Sequence, residues 1–134
     1  MPSLPIEAVY LGASVVLGLA TILLQGLVTD LEFGVRYGAG SRDETPRSGN
    51  LLRQRLNRTV ANFGETFPLF AAAVLACLAL ERTGTGTAWG AAFYFWGRLA
   101  YVPLYAFGVP WLRSAAWFVS IFGIILVALP LLGF

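Results

Sequence analysis

Apolar and polar stretches alternate along this chain at lengths that fit a lipid bilayer. The first apolar run extends from Pro5 to about Val28, interrupted by Glu7 at its start and Gln25 near its end. Further runs cover about 62–80, 88–107 and 111–132. A helix rises 1.5 Å per residue, so roughly 20 apolar residues cross the hydrocarbon core. The pattern predicts an all-α integral membrane protein with four spanning helices, folded as one domain over residues 1–134. Glu7 is expected at the interface, within reach of water. Gly12, Gly18 and Ala20 are small and predict close helix packing along the first span.

The long polar segment between the first two spans carries Asp30, Glu32, Arg36, Arg42, Asp43, Glu44, Arg47, Arg53 and Arg55. It predicts a loop over about 30–50, broken in its middle by Gly38, Gly40, Pro46 and Gly49. A helix starts near Leu51. Leu51, Leu52 and Leu56 form its apolar edge, while Arg53, Arg55 and Arg58 are expected near the headgroups. Gly64 and Pro68 predict a kink, because a proline nitrogen donates no hydrogen bond to the preceding turn. Short turns follow at Glu81–Thr87 and Gly108–Pro110.

Composition narrows the chemistry. Of 134 residues 57% are apolar and 12% charged, against about a quarter charged in an ordinary soluble domain. There is no histidine and one cysteine, Cys77. A histidine-based triad, a His or Cys zinc site and an intrachain disulfide are therefore excluded. Cys77 lies deep in an apolar run and reads as a small hydrophobe. The N-terminal run lacks a basic leader and exceeds a signal-peptide core, so it reads as a retained span. All nine basic residues are arginine, which favours recognition of anions by paired hydrogen bonds. Arginines crowd the first loop and are missing from both tails. The positive-inside rule then places that loop in the cytoplasm and both termini outside.

Two helical faces carry the remaining chemistry. Arg58, Asn62 and Glu65 are spaced four and three apart, and Arg98, Tyr101 and Tyr105 three and four apart. Each set stacks on one side of a helix. Arg113 and Ser114 open the fourth span. An arginine as deep as Arg98 is costly in lipid and must meet an anion or a wet cavity; Glu65 is its expected partner. A purely structural reading makes these groups interhelical hydrogen bonds, and the tyrosines apolar lining. The functional reading counts Arg36, Arg58, Arg98 and Arg113 against Glu65. It predicts a net positive, cytosol-facing pocket for a small polyanion.

The run Arg58-x-x-x-Asn62-x-x-Glu65-x-Phe67-Pro68-Leu69-Phe70, followed by Arg98-x-x-Tyr101-x-x-x-Tyr105 and Arg113-Ser114, resembles the MAPEG family over the whole chain. These are membrane-associated proteins in eicosanoid and glutathione metabolism. The resemblance implies a four-helix membrane bundle assembled as a homotrimer, with glutathione as co-substrate between protomers near the cytoplasmic face. It implies that Arg58, Asn62 and Glu65 hold the glutathione backbone and that Tyr101 and Tyr105 line the site beside Arg98. Arg113 would donate to the sulfur, and Arg36, at the end of the first helix, would approach the ligand. The expected partners are membrane lipid, a hydrophobic small molecule and further copies of the chain, with no nucleic acid and no metal. The expected location is a bacterial inner membrane.

Three departures stand out. Val60 and Ala61 occupy a turn where the family often places polar contacts, and Thr66 stands where some relatives have tyrosine. The turn leading to Arg113 differs in length by about a residue. These motivate an alternative: a non-catalytic binder of lipid or thiol metabolite on the same fold. A small four-span exporter is the remaining alternative. It needs an acid well inside the first span, and Glu7 sits at that span's edge.

Overall fold

The computed structural model describes residues 2–41 and 50–134. Arg42, Asp43, Glu44 and Arg47, at the centre of the expected loop, lie outside the described residues. The described residues form helices α1 (Ile6–Phe33), α2 (Val35–Ala39), α3 (Leu51–Ala79), α4 (Thr85–Ala106) and α5 (Pro110–Ala128), with a closing 3-10 turn at Leu129–Leu132. There is no strand among them. Three segments are long and apolar enough to cross a membrane: Ile6–Phe33, Leu51–Ala79 and Pro110–Leu132. The helix α4 has the length, but Arg98, Thr85, Thr87 and three tyrosines lower its hydropathy.

Helix α1 does not stop near Val28. It runs 28 residues, about 42 Å at the helical rise, and so projects past a hydrocarbon core of about 30 Å. Asp30 and Glu32 thus continue the helix instead of opening a loop. Gly34, at φ 90, ends it in a conformation that side chains disfavour, and the chain turns into α2. The helix α3 is 29 residues long and passes through Pro68 without interruption. The Asn50 side chain caps it by accepting from the Arg53 N–H at 3.2 Å. Arg53 is buried, 3.0 Å from a Glu32 carboxylate oxygen and 4.6 Å over the Phe33 ring, and so fastens the projecting ends of α1 and α3 together.

The tightest packing is between α4 and α5. A methyl group added at Gly90 would meet the Gly123 carbonyl at 2.7 Å, and one at Gly97 would meet the Ala116 carbonyl at 2.9 Å. Glycine is required at these points because backbone lies against backbone. On α1 the expectation divides. Gly18 receives the Phe63 ring, but Gly12 faces open space. The core joins Phe70, Ala73, Val74 and Cys77 of α3 to Ala91 and Tyr94 of α4 and Val127 of α5. Phe70 stacks on Tyr94 at 4.0 Å. The Cys77 thiol, fully buried, donates to the Val127 carbonyl at 3.2 Å.

Glu7 is 3% exposed and does not reach water as expected. Its carboxylate accepts a hydrogen bond from the Thr87 hydroxyl at 2.6 Å, which pins the start of α1 to the start of α4. At the opposite end Arg55 of α3 donates to the Ala106 carbonyl at 3.3 Å and lies against Gly108 in the α4–α5 turn. That contact satisfies an orphan carbonyl at the end of α4.

Candidate functional site

Helices α3, α4 and α5 converge near the ends fastened by Arg55. Asn62 comes from α3, Arg98, Tyr101 and Tyr105 from α4, and Arg113 and Ser114 from the first turns of α5. Spacing within each helix decides which side chains share a face. The close α4–α5 seam then decides that the faces meet.

Arg98 is 0% exposed. Its Nη1 donates to the Asn62 Oδ1 at 2.7 Å, and its Cζ lies 4.3 Å from the centre of the Tyr101 ring and 5.7 Å from that of Phe63. The expected carboxylate partner is thus replaced by an amide, and Glu65 is exposed. Glu65 remains within electrostatic reach of Tyr101, as does Arg113. From Tyr101 the contacts pass to Tyr105, with ring centres 5.5 Å apart. The Arg113 guanidinium caps the series, 4.6 Å over the Tyr105 ring. Stacking of guanidinium groups on aromatic faces holds these cations while leaving their edges free to donate.

A cavity of about 440 Å³ opens on this series, lined by Asn62, Tyr101, Tyr105, Arg113, Ser114, Trp117 and Phe118. Its size suits a small organic ligand. It presents an amide, two phenols, a hydroxyl and a cation beside two large aromatics. Arg98 lies behind this wall and not in it. Arg113, at the start of α5, lines the cavity. Arg58 is exposed one turn before Asn62, and Arg36 is exposed on α2. Neither lines the cavity.

Two groups escaped the sequence reading. Trp117 and Phe118 complete the lining, and the available signal was their position four residues after Arg113 and Ser114. The second is a polar cluster around a cavity of about 410 Å³, lined by Gln25, Thr29, Tyr37, Arg53, Asn57, Val60 and Ala61. There Gln25 donates to the Asn57 Oδ1 at 2.6 Å. Val60 and Ala61 are therefore part of a different cavity from Asn62. Thr66 faces the core, where its hydroxyl pairs with that of Tyr94 at 3.1 Å. A still larger cavity, about 560 Å³, lies at the far end between Glu7, Thr83–Thr85 and Trp89. The charged group in its wall is Glu7, already engaged by Thr87. Volume alone does not locate the chemistry. Among the described residues no three His, Cys, Asp or Glu side chains gather to hold a metal ion.

The family model of the MAPEG family matches residues 10–133, and the chain belongs to that family. No curated protein and no solved structure matches it.

Proposed function

We propose that this MAPEG protein is a membrane-embedded, glutathione-dependent transferase or peroxidase for lipophilic electrophiles. Family membership supports a role in glutathione or eicosanoid metabolism in general terms. The observation that carries the finer reading is the meeting of Asn62, Tyr101, Tyr105 and Arg113 around one cavity. Glutathione has two carboxylates, an ammonium and a thiol. In this reading the exposed Arg58 and Arg36 reach its carboxylates, Glu65 pairs with its ammonium, and Asn62, Tyr101 and Tyr105 hold the backbone. Arg98 supports that wall from behind.

A thiol with a pKa near 8.5 is mostly protonated at neutral pH. A guanidinium beside the sulfur favours the anion, so Arg113 can supply thiolate without a histidine base. The thiolate attacks the electrophile, a carbon–sulfur bond forms, and the leaving group departs with its electron pair. With an epoxide, the ring oxygen instead takes up a proton from solvent. Trp117 and Phe118 offer the apolar substrate a surface continuous with lipid. The active form is a homotrimer with four spans per protomer. It sits in a bacterial inner membrane with the first loop in the cytoplasm.

Replacing Arg113 by alanine tests the mechanism with a chromogenic electrophile in detergent or lipid. The expected result is a fall of about a hundredfold in kcat/KM, the scale of losing one preorganised donor. Unchanged turnover would remove Arg113 from the chemistry. A non-catalytic binder of a thiol metabolite is the second reading. It is favoured by Thr66, whose hydroxyl is committed to Tyr94 in the core. Glutathione that binds without thiolate absorbance supports that second reading.

A further inference from the structure

We infer that Arg98 is a positioning residue that fixes the polarity of Asn62, so that this point of the cavity accepts only a hydrogen-bond acceptor. The inference rests on the thiol-ligand reading for the identity of the ligand, but not for the polarity itself. A guanidinium carries donors and no acceptor. An amide that meets it must therefore turn its oxygen inward, as Asn62 does at 2.7 Å. Chemistry removes the usual ambiguity between amide oxygen and nitrogen. The Asn62 NH₂ is left on the cavity side, and among the described residues it has no hydrogen-bond partner.

The orientation is locked from behind. Arg98 is fully buried and held against the rings of Tyr101 and Phe63. Its Nε and Nη2 are buried without hydrogen-bond partners among the described residues. The bond to Asn62 is thus the hydrogen bond this charge possesses, and turning the amide over would set donor against donor. A charge-assisted bond of this kind biases the two orientations by about ten- to a hundredfold. No ligand oxygen fits against the closed Nε–Nη2 edge, so Arg98 acts through Asn62 and Tyr101 and not by direct contact. The group that Asn62 receives is then a carboxylate or a peptide carbonyl oxygen of the ligand.

Asn62→Asp separates this from a structural role. Aspartate keeps the pairing with Arg98 and replaces the donor facing the cavity by an acceptor. Glutathione affinity, measured by equilibrium binding to the purified protein, is expected to fall at least thirtyfold while thermal stability is maintained or raised. Unchanged affinity would overturn the inference. Arg98→Met frees the amide and is expected to raise KM about tenfold with little change in kcat, and Arg98→Lys, again donor-only, recovers most of that loss. Equal effects of Met and Lys would also overturn it. If the wild-type protein binds no glutathione, the thiol reading fails instead. The polarity is then tested with sodium acetate as a minimal acceptor. The Asn62 side-chain NH₂ resonances, identified by their loss in Asn62→Asp, are expected to shift on titration, and their failure to move would reject the assigned polarity.

Discussion

Glu7 with Thr87 at one end of the molecule and Arg98 with Asn62 at the other are both buried polar bridges between helices, and both were costly to bury. They differ in what remains unmet. The Thr87 hydroxyl accepts from the Gly84 N–H at 2.8 Å and donates to Glu7 at 2.6 Å, so it closes a loop and tie at the start of α4. Arg98 keeps two buried donors without partners among the described residues, and its partner Asn62 looks into a cavity walled by Tyr101, Tyr105 and Arg113. A large cavity lies beside each bridge. Burial and volume are therefore shared. Convergent, incompletely satisfied donors distinguish the end proposed as functional from the structural one.

The largest effect is expected where the two ends depend on the same seam. A methyl group at Gly123 would meet the Gly90 carbonyl at 2.5 Å and the Tyr94 N–H nitrogen at 2.6 Å. Neither atom is the flexible end of a side chain, so Gly123→Ala forces α5 away from α4. The expected loss is about 3 kcal/mol or more, seen as a lower unfolding midpoint in detergent. Because Arg98 and Arg113 sit on these two helices, ligand binding should fall with stability. Gly12→Ala, placed in open space, is the control and should stay within about 0.5 kcal/mol. A stable Gly123→Ala protein that still binds ligand would uncouple the seam from the site.

The all-helical class, the membrane character and the family were legible from periodicity and from the spacing of Arg58, Asn62 and Glu65. Such features live within one helix, where sequence separation sets geometry. What escaped lies between helices. Glu65 was the electrostatically obvious partner for Arg98, but the rotation of α3 against α4 brings Asn62 there. Glu7 was assigned to water because its partner, Thr87, is 80 residues away in sequence. Thr66 was noted where some relatives have a tyrosine, and its hydroxyl turns into the core toward Tyr94. The glycines of the seam were visible as residues, but their pairing across α4 and α5 is tertiary. The pairing of Arg53 with Glu32 was missed because the continuation of α1 to Phe33 was not foreseen.

Thr87→Val examines the structural end alone. Valine keeps the shape and removes both hydroxyl bonds, leaving the Glu7 carboxylate buried without its donor. The expected destabilisation is about 2 kcal/mol, again by thermal unfolding, with ligand affinity unchanged. Glu7→Leu in the Thr87→Val background should restore part of the loss, since no acceptor is then left orphaned. A drop in ligand affinity without a drop in stability would move this end into the functional category and dissolve the contrast.

The smallest stability change is expected at the buried guanidinium behind the proposed site. Arg98→Met removes a desolvated charge whose Nε and Nη2 hydrogens are unmet and replaces it with an unbranched side chain that can fill the space. Substituting a buried charged group by a packed apolar one is commonly neutral or stabilising, by as much as about 1–4 kcal/mol for whole ion pairs. The Asn62 oxygen released by the substitution borders the cavity and can turn to water. Unfolding of Arg98→Met should therefore occur at or slightly above the wild-type midpoint, in contrast to Thr87→Val. A guanidinium kept at the expense of stability is one kept for another reason, which here is the orientation of Asn62. If Arg98→Met instead lost more than about 2 kcal/mol, its stacking on Tyr101 and Phe63 would be the dominant role, and the two bridges would be of one kind.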